Sequence, residues 1–111
     1  MIDTDITVEE HEEDGVSVYL VKIASALVEL NVTIPQSDIG HLQSALRTEW
    51  ALGALRLGTS AGAPVYWCAG EKGTLSVLIG QDDETWDIAL TLPASVIPMI
   101  FNGLPNSAGG P

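Results

Sequence analysis

Two segments alternate apolar and polar residues with a period of two: Val28-Glu29-Leu30-Asn31-Val32-Thr33-Ile34 and Trp86-Asp87-Ile88-Ala89-Leu90-Thr91-Leu92. That period marks a strand with one buried face. Pro35 and Pro93 stop these strands, because proline donates no ladder hydrogen bond. After each proline the period changes to that of a helix. Ile39, Leu42, Leu46 and Trp50 fall on one helical face, with Ser37 or Gln36 as the cap and Gly53 as the stop; Val96, Ile97, Ile100, Phe101 and Leu104 repeat the stripe, with Pro98 in the first turn.

Upstream of each alternating strand lies another rich in Val, Ile, Leu and Tyr, Val16 to Ile23 and Thr74 to Ile79. Asp14-Gly15 and Lys72-Gly73 read as the hairpin turns before them, entered by strands at Ile6 to Glu10 and Val65 to Cys68. The unit is strand, strand, strand, helix, written twice. An offset of 58 places Gly15 on Gly73, Leu20 on Leu78, Thr33 on Thr91, Pro35 on Pro93, Ser37 on Ser95, Ile39 on Ile97 and Leu46 on Leu104. The correspondence reads as a tandem duplication, with a chance likeness between two strand-proline-helix junctions as the alternative. The fold class expected is α+β: a tandem duplication of a β-β-β-α unit, with an antiparallel sheet of about six strands and two helices on one face.

The repeats span about residues 5–52 and 64–104 within one domain, 1–104. The connection 53–63 is long enough to hide a short strand at Ala54 to Leu57, and the tail 105–111 is expected to be mobile. A chain of 111 residues with 46% hydrophobic residues supports one core. The acidic start lacks a signal-peptide pattern, and the longest mostly apolar run, Val16 to Val28, contains Lys22 and is too short to cross a bilayer. A single cysteine, Cys68, closes no internal disulfide. A cytoplasmic location is the expectation.

Charge changes the picture most. Fifteen acidic residues against four basic ones give a formal charge of -11, so phosphate backbones and anionic membranes are repelled and neither is expected as a partner. Seven of the fifteen acids lie in the first 14 residues, around the first hairpin turn, and Asp82-Asp83-Glu84 add three between the last two strands. If the repeats are related by a two-fold axis the two acidic clusters share an end of the sheet; if the second repeats the direction of the first, they lie at opposite ends.

Catalytic and metal-binding chemistry finds little support. Cys68 lies on an apolar strand, where cysteine behaves as a small hydrophobe; His11 sits among five carboxylates and His41 on the first helix, so neither reads as a catalytic base. Adjacent carboxylates on a strand point to opposite faces and do not converge on one ion. No cofactor is expected. Gly58-Thr59-Ser60-Ala61-Gly62 lacks the lysine and helix of a phosphate loop.

Aligned by the 58-residue offset, Trp67 corresponds to Glu9, on the polar side of the first strand. If both copies keep one orientation, Trp67 lies on the open face of the sheet among Glu29, Asn31, Thr33, Asp87 and Thr91, unless the connection 53–63 covers it. Trp50, Trp86 and Tyr66 then face the core. The expected function is that of a small acidic, non-enzymatic protein that binds or occludes a basic partner, as an inhibitor, an immunity protein or a mimic of nucleic-acid charge. Its binding residues would be Trp67, Glu9, Glu29 and Asp87 with the turn acids Glu10, Glu12, Glu13 and Asp14. The alternative is a self-associating scaffold or small-ligand module, dimerising through the sheet face or an exposed edge.

Overall fold

The computed structural model describes residues 4–26, 28–49, 53–82 and 86–105. Among these residues seven strands form one antiparallel sheet in sequence order: β1 (Asp5–Glu13), β2 (Val16–Ala24), β3 (Glu29–Pro35), β4 (Leu55–Ser60), β5 (Ala63–Ala69), β6 (Thr74–Gly80) and β7 (Trp86–Pro93). A 3-10 helical segment, Gln36–Arg47, joins β3 to β4, and helix α1 (Val96–Asn102) follows β7. The architecture is α+β with seven strands rather than about six, because the connection 53–63 itself supplies β4. Trp50, Asp83, Glu84 and most of the expected mobile tail lie outside the described residues.

Alternation decides which side of each strand is buried. Tyr19, Val21 and Ile23 on β2, Leu30, Val32 and Ile34 on β3, Val65 and Trp67 on β5, and Leu75, Val77 and Ile79 on β6 form one cluster with Leu42, Ala45, Val96, Ile97 and Ile100 of the two helical segments. Both segments therefore cover the same face of the sheet. α1 also reaches the first strand: a Cβ built on Gly103, at its end, would lie 3.5 Å from Val8.

The first helical segment has a different period from the one expected. With three residues per turn, Ile39, Leu42 and Ala45 stack in one row, and Leu42 and Ala45 are fully buried while Leu46 is exposed. Gly40, within the segment, weakens the case for an ordinary α-helix. The expected caps are also absent: Pro35 stands at the N-cap with no side-chain bond. At the other end the Thr48 carbonyl accepts the Ala69 N–H at 2.8 Å, which ties the segment to β5.

The three-strand-then-helix order occurs in both halves, with β4 inserted between them. In a sheet whose neighbours are all antiparallel, strands four apart run the same way, so β5 repeats the direction of β1. The two glycine turns therefore share one end of the sheet, and the acidic first hairpin lies at the opposite end from Asp82, which follows β6.

The registers explain where the orientation argument for Trp67 fails. β1 and β2 close over Asp14-Gly15, whereas three residues, 71–73, separate Gly70 and Thr74, which are joined by a 2.9 Å backbone bond. Tyr19 consequently faces Glu10, but its counterpart Val77 faces Trp67. One extra residue in the turn shifts the partner strand by one position, and a one-residue slip moves every side chain to the other face.

Candidate functional site

Trp67 is completely buried among the core residues, and its indole Nε1–H donates to the Leu57 carbonyl at 2.9 Å. It is a core residue, and the expected indole ringed by carboxylates on the open face is not present. Tyr66, expected to face inward, lies on the opposite side of β5 from Trp67, with its hydroxyl donating to the Gln81 carbonyl at 3.2 Å. Trp86 departs from expectation in the other direction. A register shift between Ile79 and Gly80 sets Trp86 opposite Gly80, so the indole joins Cys68, Ser76 and Leu78 around a shallow hollow on the outer face and is 38% exposed. Cys68 is buried there.

The carboxylates are dispersed. Glu9, Glu10, Glu12, Glu13 and Asp14 are all exposed along β1 and its turn. Glu9 lies 3.1 Å from the His11 ring, and Glu10 accepts from Gln36 Nε2 at 3.4 Å, which bonds the Val18 carbonyl as well. Glu29 is 3.8 Å from Lys22 and accepts from Asn31 at 3.3 Å. Asp87 sits in the irregularity of β7, far along the sheet from β1. These residues do not converge on one point, and no group of three or more metal-ligating side chains occurs among the described residues.

Two of them, Glu13 and Asp14, do contribute to a recess of about 450 Å³ on the outer face. Its origin is a failure of strand pairing. β3 and β4 are joined at a single register position, Thr33 opposite Thr59, and β4 is irregular between Arg56 and Thr59. The end of β3 at Pro35 is paired with Val18 of β2 but lacks a continuous neighbour on its β4 side, and a hollow opens there beside the first hairpin.

Gly58 makes this junction sterically feasible. Its φ is +82, and a Cβ there would lie 2.8 Å from the Thr33 carbonyl oxygen. Only glycine adopts that backbone conformation cheaply and lets the two chains approach so closely.

Val16, Val18 and Pro35 give the recess an apolar lining, and Glu13, Asp14, Asp38 and Arg56 line it as well. No ion pair links Arg56 to these acids among the described residues. An apolar surface edged by carboxylates matches an amphipathic cation: the methylene stem of lysine or arginine covers valine and proline while the charged head meets the acids. The sequence reading singled out Glu13 and Asp14 but missed Asp38, Val18 and Arg56, which only the β3–β4 separation brings together. No helix among the described residues is long and apolar enough to cross a membrane. The chain matches no protein-family model, no curated protein and no solved structure.

Proposed function

We propose that this chain is a non-enzymatic acidic binding protein that holds a basic partner by taking one of its lysine or arginine side chains into the recess beside the first hairpin. The observation that carries this reading is a single recess lined both by apolar side chains, Val16, Val18 and Pro35, and by three carboxylates, Glu13, Asp14 and Asp38. The overall charge of -11 would steer such a partner toward the surface, and the exposed acids of β1 would widen the attractive region. Inhibition, immunity toward a basic toxin and mimicry of nucleic-acid charge all use this chemistry. A tandem duplication accounts for the twofold strand-strand-strand-helix order, and the matching turn glycines, Gly15 at φ +80 and Gly73 at φ +77, support that origin.

Calorimetric titration with an end-capped hexa-arginine peptide tests the reading. Binding should weaken at least about tenfold between about 50 and about 500 mM NaCl, because exposed charges are screened. Glu13→Gln, Asp14→Asn and Asp38→Asn should each weaken it about two- to fivefold, the range of an exposed ion pair, while Glu49→Gln leaves it unchanged. Binding that ignores both salt and the three substitutions would overturn the proposal.

A further inference from the structure

The two edges of the sheet are unlike. β1 carries Glu9, Glu10, Glu12 and Glu13 and has α1 beside it, which are ordinary protections against pairing with another chain. β7 has neither. Among the described residues its one strand neighbour is β6, and its residues 86–89 are all exposed, including Ile88 at 49% and Trp86 at 38%. One carboxylate, Asp87, and no lysine or arginine occur along its eight residues. A strand of this length with apolar side chains and no second strand neighbour among the described residues is a template for an added strand.

A groove of about 340 Å³ runs along the core side of this edge. Ile88 and Leu90 form one wall, Val28 and Leu30 at the start of β3 the other, and Ile79 lies between them. Because side chains alternate along a strand, every second residue of a segment laid against β7 would face this groove, and the residues between would face outward. Charge selects the occupant. Glu29 lines the groove, Asp87 interrupts the strand and Asp82 precedes it. Two copies of a chain with charge -11 would bring these acids together, whereas a basic segment would neutralise them.

We infer that the outer edge of β7 accepts an extended segment of a basic partner as an eighth strand, with alternate apolar side chains of that segment in the groove and its lysines or arginines toward Asp82 and Asp87. The inference shares the basic-partner reading above but places a second contact at the opposite end of the sheet from the first hairpin.

Amide hydrogen exchange followed by NMR tests it, with an end-capped eight-residue peptide alternating valine and lysine as the probe. Binding should slow exchange at least about tenfold at alternate amides within 87–92. Asp87→Lys and Ile88→Lys, both on exposed positions, should each weaken binding at least about fivefold. The counterpart alternating valine and glutamate should not bind. Protection confined to the recess at Glu13, Asp14 and Asp38 would overturn the β7 site and leave the basic-partner reading standing. Failure of both this peptide and hexa-arginine to bind would overturn both. Concentration-dependent protection of 87–92 without peptide would assign the edge to a second copy instead, as would equal binding of the glutamate peptide assign it to apolar pairing alone; either result refutes the inference.

Discussion

Replacing Trp67 by phenylalanine probes the packing on which the fold depends. Trp67 has no exposed surface, and its Nε1–H satisfies the Leu57 carbonyl at 2.9 Å, just where β4 departs from regular pairing. Phenylalanine keeps a ring but removes the donor, which leaves a buried carbonyl unpaired at a cost of about 1–3 kcal/mol. The lost volume, about 40 Å³ at roughly 24 cal/mol per Å³, adds ~1 kcal/mol if the site does not collapse. Urea denaturation should therefore show a loss of about 2–4 kcal/mol with an unchanged m-value, a large part of the stability of a small domain. Trp86→Phe, on the outer face, should stay within about 0.5 kcal/mol. A loss below about 1 kcal/mol for Trp67, or equal losses at the two positions, would refute the assignment of Trp67 to the core and Trp86 to the surface.

Two further expectations concern the elements that frame the recess. Gly58→Ala should destabilise by about 2 kcal/mol or more, since it combines the left-handed backbone penalty with an approach to the Thr33 carbonyl, and thermal unfolding reads the loss. In the segment Gln36–Arg47, Leu46→Lys should be nearly neutral and Ala45→Leu should cost about 1–3 kcal/mol by overpacking; the reverse ranking in chemical denaturation would argue for an α-helical period instead.

The strands were legible because their signals are local. Alternation located β3 and β7, Asp14-Gly15 located the first hairpin, and even the short strand suspected at Ala54 to Leu57 proved to be the beginning of β4. Faces were harder to read. The turns before β2 and β6 look alike, glycine preceded by a residue of positive φ, yet they differ by one residue in length, and parity converts that difference into an inverted Trp67. The irregularity beside Gly80 likewise moved Trp86 to the outer face. Helix type was ambiguous because Ile39 and Leu42 satisfy both periods, and only Ala45 against Leu46 separates them. The recess was illegible for another reason: it arises from strands that fail to pair, and nothing local in Pro35 or Arg56 announces which neighbours the chain will leave apart.

Intermolecular nuclear Overhauser effects between the hexa-arginine peptide and the methyl groups of the protein test the assignment of cation capture most directly. Cross-peaks from the arginine side-chain methylenes to Val16 and Val18 are the predicted result, because these valines line the same recess as Glu13, Asp14 and Asp38, where the guanidinium is held. Saturated binding with no contact to either valine would contradict it, and the recess would then have no part in holding the partner.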